Sequence, residues 1–252
     1  MMDAPLVSII TVVFNGEKHL QQTIDSVHNQ TYKNIEYIII DGGSTDGTLP
    51  IIKKNSQKIS RWISEPDKGL YDAMNKGIKL AKGELIGTIN SDDWYEPNAV
   101  ELSVKSYRDN PHVSIVHSNR YDVLPNGTKR IYKFNPSSFK FKYFSMTYAH
   151  PSMFITREEY SKHHYNTTLK SLSDYQFTLE AFLQNQNGFV HIAKPLVNFR
   201  LGGVSGQIGF YDELKEAYLA RSFAGMNPLE TIFALFLKII SKPLVWVKKM
   251  VS

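Results

Sequence analysis

Between residues 7 and 117, short runs of β-branched and aliphatic residues recur, separated by segments whose apolar positions fall at helical spacing. Val7-Ser8-Ile9-Ile10-Thr11-Val12-Val13 is the first, and it lacks the strict apolar–polar alternation of a strand with one wet face. A run this short and this apolar suits a strand covered on both sides, as in a parallel sheet. Leu20, Ile24 and Val27 then share one helical face, and residues 35–40, 61–64, 85–89 and 113–117 read as four further strands. Helices are expected over 71–81, stopped by Gly83, and over 98–108, closed by Asn110-Pro111. Ser44 or Thr45 is a candidate cap for another helix after the 41–48 loop. Strand–helix alternation of this kind implies an α/β fold, a mostly parallel sheet with helices on both faces. Such sheets bind ligands at the carboxyl ends of their strands. Asn15, Asp41, Glu65, Asp92 and Asp93 each follow a strand end, so the pattern predicts that they line one rim.

The pattern loosens after residue 120. Residues 121–132 look like a hairpin around Pro125-Asn126-Gly127, and 134–148 are aromatic and basic without a clear period. Ser173 or Asp174 opens a helix through 183, and 190–201 alternate weakly. With no internal repeat or low-complexity linker, the expectation is one domain over 1–224 and an appended basic, amphipathic segment over 225–252.

The 252 residues include no cysteine, which excludes disulfide scaffolds, Cys-ligated zinc, iron–sulfur clusters and thiol nucleophiles. The balance of 29 Lys and Arg against 24 Asp and Glu gives a net charge of +5. That favours anionic partners: nucleic acid, an acidic membrane or a phosphorylated substrate. No nucleic-acid recognition motif accompanies the charge, so no nucleic-acid partner is expected. The first apolar run is too short for a signal-peptide core and follows Asp3, so a cytoplasmic location is expected. The apolar C-terminal run is interrupted by Glu230, Lys238, Lys242 and Pro243, so no spanning helix is expected.

Adjacent carboxylates such as Asp92-Asp93 repel unless a cation or donor compensates them. They read either as turn and cap residues or as hard oxygen ligands for Mg²⁺ or Mn²⁺ on a diphosphate. Asp41-Gly42-Gly43-Ser44 is a turn at a strand end, where an Asp can accept a bond from a base N–H. Neither a dinucleotide fingerprint nor a P-loop is present.

The longest distinctive string is Glu65-Pro66-Asp67-Lys68-Gly69-Leu70-Tyr71-Asp72-Ala73-Met74-Asn75-Lys76-Gly77. Before it come Val7 to Thr11 with Asn15, and the run from Asp41 to Thr48. After it come Asn90-Ser91-Asp92-Asp93, His150-Pro151-Ser152, Ser173-Asp174-Tyr175 and Arg200-Leu201-Gly202-Gly203-Val204-Ser205. In this order the motifs resemble the family 2 inverting glycosyltransferases with the GT-A nucleotide-sugar fold. The resemblance is nearest to those that build bacterial surface polysaccharides, colanic acid transferases among them. It implies a nucleotide-binding half over 1–118 and an acceptor half over 119–224. It implies that Asp41 bonds a uracil-type base, with the backbone around Thr11, Val13 and Phe14 and with Asn15 and Gly43 nearby. Asp92 would face the ribose, and Asp93 would hold Mn²⁺ or Mg²⁺ on the diphosphate. Lys68, Asp72, Asn75 and Lys76 would lie beside the nucleotide-sugar donor. Asp174 would be the general base, and the loop with Arg200, Gly203 and Ser205 would close over the donor. His150 is either an acceptor or diphosphate contact or a hydrogen-bonded structural histidine.

The pattern departs from the family at Ser91, which breaks the spaced Asp-x-Asp, and at Ser173, where many members have Glu. No Gln-x-x-Arg-Trp follows Asp174, which implies one sugar per encounter. Lys238, Lys242 and Lys249 fall on one helical face of the C-terminal segment. That segment either packs on the domain or lies on an anionic membrane leaflet, where a lipid-linked saccharide acceptor would be met. Two rivals stand beside the transferase: a non-catalytic nucleotide-sugar-binding scaffold subunit, and a nucleotidyltransferase. Against the second, Phe14-Asn15-Gly16-Glu17 replaces the Gly-rich basic loop expected after its first strand.

Overall fold

The computed structural model describes residues 4–202 and 209–251, with residues 242–251 described by backbone alone. The first half follows the sequence closely: β1 (Val7–Val13), α1 (Leu20–His28), β2 (Ile35–Asp41), α2 (Thr48–Lys54), β3 (Arg61–Ser64), α3 (Leu70–Leu80) and β4 (Leu85–Asn90). Then come β5 (Trp94–Tyr95), α4 (Ala99–Asp109), β6 (Ile115–Val123), β7 (Lys129–Tyr132) and α5 (Ser138–Tyr143). The chain continues through β8 (Phe154–Thr156), α6 (Arg157–Lys162), α7 (Ser173–Gln184), β9 (Phe189–Arg200), α8 (Phe210–Phe223) and α9 (Pro228–Val251).

One mixed sheet runs β3-β2-β1-β4-β8-β6-β9-β5, with β7 hairpinned onto β6. The four strands from β3 to β4 are parallel, and the antiparallel β8 joins them to the second half. All seven residues of β1 are buried, because the strand lies between two others and under helices on both faces. Its side chains alternate between two cores. Ile10 and Val12 face α3 and α7, with Tyr71, Met74 and Phe177. Val7, Ile9 and Val13 face α1 and α4, with Leu20, Ile24 and Val104.

The register fixes the rim. Val13 pairs with Asp41, Asp41 pairs with Ser64, and Val12 pairs with Asn90. The loops after β1 to β4 therefore leave the sheet along one edge. The expected Ser44 or Thr45 cap is not formed: α2 starts three residues later, and Thr48 N donates to Asp46 Oδ1 at 3.0 Å. Ser44 is drawn back to Asp41 instead.

Helices α8 and α9 form a hairpin. Gly225, at φ 78°, closes α8 with a paired turn in which Gly225 N donates to Ser222 O and Met226 N to Arg221 O. The base of α9 packs on the domain: Glu230 accepts from Lys142 Nζ at 3.0 Å and from the Tyr143 hydroxyl. Helix α9 runs through Pro243 without interruption.

Candidate active site

At the end of β1, Asn15 takes a left-handed φ of 51°, a conformation that asparagine tolerates. Its N–H donates to Ser44 Oγ at 2.7 Å, and its Oδ1 accepts from Thr45 N at 2.9 Å. These bonds tie the β1 loop to the β2 loop and leave the Phe14 ring 66% exposed. Asp41 is fully buried at its strand end, where it accepts from Ser44 Oγ, Ser44 N and Ser64 Oγ, the last at 2.6 Å. Gly43 follows in the same turn. The side chains of Thr11 and Val13 face inward: Thr11 Oγ1 is 3.0 Å from the Tyr37 hydroxyl, and Val13 belongs to the core on the α1 side. Neither side chain is presented to the rim.

The string after β3 folds around its own lysine. Lys76 Nζ meets Asp67, Glu65 at 2.9 Å and Asp72 at 3.6 Å. Hydrogen bonds that the ammonium donates to Asp67 and then Glu65 push it above its ordinary pKa, so it stays charged and is already engaged. Asp72 also accepts from Lys68 N at 3.0 Å at the start of α3, while the Lys68 side chain is exposed. Asn75 brackets the backbone of Tyr165: Nδ2 donates to its carbonyl at 2.7 Å, and Oδ1 accepts from its N–H at 3.2 Å. Asn75 thus positions Tyr165.

After β4 the paired acids separate by environment. Asp93 is 1% exposed; its Oδ1 accepts from Arg200 N at 2.9 Å and its Oδ2 from Asn90 Nδ2 at 3.3 Å. Burial, and then the charge of Asp92, push its carboxyl up to about 8. Asp92 is half-buried at the rim. Arg200 spans the pair: Nε donates to Asp92 O at 3.2 Å, Nη2 donates to Gln22 Oε1 at 3.0 Å, and the guanidinium lies 5.0 Å from the Trp94 ring centre. Half-buried His19 feels the charges of both Arg200 and Asp92. Asp93, expected to face a metal, is thereby turned into the protein, and Asp92 is the carboxylate left at the opening. Gly203 and Ser205 lie outside the described residues.

Asp174 stands in the first turn of α7, where its Oδ1 accepts from the Tyr71 hydroxyl at 3.1 Å and from Tyr175 N at 2.8 Å. Burial, and then the Asp174 charge, raise the Tyr71 pKa, so the phenol remains a donor. His150 is buried in a single turn (His150–Ser152) packed on β4, with its Nε2 2.7 Å from the Tyr165 hydroxyl. Burial lowers its pKa against the pull of Asp174, so the imidazole is neutral near pH 7. The Tyr165 hydroxyl also meets that of Tyr160 at 3.1 Å. Asp174, Tyr71, His150 and Tyr165 form one polar cluster in the core shared by α3 and α7. Tyr71 was visible in the long string but carried no assigned role. Tyr165 had no signal at all, because Asn75 reaches it across 90 residues.

Among the described residues, no three or more His, Asp or Glu side chains converge as a metal site. Mg²⁺ and Mn²⁺ at a diphosphate typically take one or two carboxylates and fill their shells with water and phosphate oxygens. A half-exposed Asp92 at the rim fits that donor set.

The chain is 32% identical over 217 residues to the chondroitin synthase of Pasteurella multocida, and 32% identical over 217 residues to that of Escherichia coli. Each match covers 84% of the chain, but only 22% and 31% of those synthases. The chain thus spans a third or less of the length of these two relatives. It also matches an uncharacterised glycosyltransferase of Methanocaldococcus jannaschii, 31% identical over 79% of the chain and 72% of that protein. In fold it resembles S. aureus TarS in complex with UDP-GlcNAc, with a TM-score of 0.73 and 19% identity over 93% of the chain and 71% of the other. A Pyrobaculum calidifontis mannosyltransferase in complex with GDP-Man and Mn²⁺ superposes at 0.65 and 15% identity, over 97% of the chain and 72% of the other. The architecture is therefore GT-A. The family model Glycosyl transferase family 2 matches residues 8–165, well over half of the chain, and with this sheet, this rim and these relatives the chain belongs to glycosyl transferase family 2.

Proposed function

We propose that the protein transfers one sugar per encounter, with inversion, from a UDP-linked donor to a hydroxyl of a lipid-linked saccharide. The observation that carries this reading is the placement of Asp174. Its carboxylate is held by the Tyr71 hydroxyl of α3, the helix that opens from the Glu65–Asp72 rim string, and its neighbour His150 packs on β4, which is followed by the Asp92-Asp93 turn. Base and donor rim thus share helix α3 and strand β4. The acceptor oxygen bonds to the anomeric carbon as the bond to the diphosphate oxygen breaks. The hydroxyl proton passes to Asp174, and UDP leaves. Asp41, expected to bond the base, is buried and occupied by Ser44 and Ser64, so it would brace the loop beside the base, with the exposed Phe14 ring facing the base and Arg200 facing the diphosphate. Asp92, rather than Asp93, would hold Mn²⁺ or Mg²⁺, which when bound neutralises charge on the leaving diphosphate. A UDP-GlcNAc complex of TarS and a GDP-Man–Mn²⁺ complex of the mannosyltransferase support a nucleotide-sugar donor and a divalent ion.

Residues 1–224 form the catalytic domain in this reading, and the segment from 225 brings it to the cytoplasmic face of an anionic membrane. No helix among the described residues is long and apolar enough to cross a membrane. Helix α9 instead presents Leu229, Ile232, Phe233, Phe236, Ile239 and Ile240 in one row, each 45–78% exposed. Lys238, by contrast, points back to Glu213 at 2.8 Å.

The test is UDP, GDP or dTDP release from a panel of sugar nucleotides with Mn²⁺, Mg²⁺ or EDTA. The expected result is slow, metal-dependent release from one UDP-sugar. Tight UDP binding without release from any donor, even with saccharide acceptors present, would favour the scaffold subunit.

A further inference from the structure

We propose that α8 positions the base, with Glu216 as the positioning residue; this rests on the assignment of Asp174 above. Glu216 is 8% exposed, and its carboxylate accepts four hydrogen bonds, all from the three residues that lead into α7. Oε1 accepts from Lys170 N at 2.7 Å. Oε2 accepts from Ser171 N at 2.9 Å, Ser171 Oγ at 3.0 Å and Leu172 N at 3.2 Å. Leu172 is the N-cap of α7 and has no side-chain cap of its own. Glu216 therefore satisfies, from another helix, backbone donors that the local sequence leaves open. Its charge also sits at the positive end of α7. Asp174 follows two residues later.

The same helix grips the other flank of the base. Arg221 is 1% exposed, donates from Nε to Lys142 O at 2.9 Å, and lies 5.0 Å from the ring centre of Tyr175. Tyr175 is the residue whose N–H donates to Asp174 Oδ1. Its hydroxyl donates to the carbonyls of Phe141 and Lys142, both at 3.0 Å. Helix α8 thus holds residues 170–172 through Glu216 and Tyr175 through Arg221, with Asp174 between them. None of these bonds reaches the rim loops after β1 to β4. Loss of Glu216 is therefore expected to slow turnover and spare nucleotide binding.

Glu216→Gln tests this, because the amide keeps the volume but turns an NH₂ group against backbone donors. The readouts are kcat for UDP release from the sugar nucleotide that the wild type uses, and UDP affinity by calorimetry. The expected result is a kcat at least tenfold lower with UDP affinity within twofold. Glu216→Asp, which keeps the charge one methylene short, should fall between, and it serves if the amide variant does not fold. Leu219→Ala, on the same helix and packed on the core, should lower the melting temperature yet keep kcat within twofold. Asp174→Asn is run alongside and should lose turnover while binding UDP. An inactive Asp174→Asn beside Glu216 variants with wild-type kcat overturns the positioning role. A parallel fall of kcat and UDP affinity overturns it as well. An active Asp174→Asn instead removes the base assignment on which it stands.

Discussion

Thr11, Asn75, Lys76 and Asp93 are conspicuous in the motifs, yet their side chains are spent on partners within the protein itself. Thr11 meets Tyr37, Asn75 holds the Tyr165 backbone, Lys76 meets three carboxylates, and Asp93 meets the backbone of Arg200. A motif lists residue types; burial and hydrogen-bond supply decide which atoms remain for a ligand. His117 shows the same rule away from the rim. It is 2% exposed between the rings of Phe134, Tyr148 and His191, and its Nδ1 has no hydrogen-bond partner. Burial, and then His191, push its pKa down to about 3, from 6.5. Between those two values the unfolded chain binds a proton here that the folded chain does not. Stability is therefore complete above pH 6.5 and is lost as pH falls, by about 1.4 kcal/mol per pH unit for this group. His117→Phe keeps an aromatic ring in an aromatic cage and removes the titration. Denaturant unfolding at pH 7.5 and 4.5 should show the wild type losing about 2–3 kcal/mol more than the variant across that interval. Equal losses would assign the acid sensitivity elsewhere.

At the scale of elements, periodicity found those whose apolar residues have one clear destination. The strands β1 to β4 and helices α1, α3, α4 and α7 lie within a few residues of their expected bounds. Strands β5 and β8 were missed, because two or three residues carry no period. Helix α8 was missed because its large apolar residues do not mark its buried side. Tyr211, Tyr218 and Phe223 are exposed, while Ala217, Ala220, Glu216 and Arg221 are buried. The strand–helix contact at Gly77 carries a prediction. A Cβ at that position would stand 2.4 Å from Ile10 Cγ2, a branched methyl on the central buried strand. Gly77→Ala gains about 1 kcal/mol of helix propensity. Overpacking of this kind costs about 1–3 kcal/mol. We expect a net loss, read as a melting temperature lower by a few degrees; an unchanged or higher value would show that α3 can move off β1.

For the whole molecule, the question is what the outward row on α9 meets. Six large apolar side chains in one helical row are more than scattered surface residues need explain. No acid follows Glu230, and Lys242, Lys248 and Lys249 continue the segment, so in the proposed function an anionic lipid surface would supply the opposite charge. Replacing Ile232, Phe236 and Ile239 together by Ser should reduce flotation with phosphatidylglycerol vesicles at least tenfold and leave UDP release from the donor unchanged. Equal flotation of variant and wild type would remove the membrane from the proposed function.

The sequence by itself determined the parallel half of the sheet, the edge on which the acids gather and the membership of the family. The first two follow from local rules: apolar periodicity selects strand or helix, and a residue just past a parallel strand stands at its carboxyl end. The family came instead from the ordered motifs between Val7 and Ser205, which resemble it. Tertiary structure alone decided which acid of the Asp92-Asp93 pair faces outward, that Tyr71 holds Asp174, and that a glutamate more than 40 residues away on α8 holds the approach to it. Side-chain exposure and long-range hydrogen bonds depend on what packs against a residue, and that is set by the whole chain rather than by its neighbours in sequence.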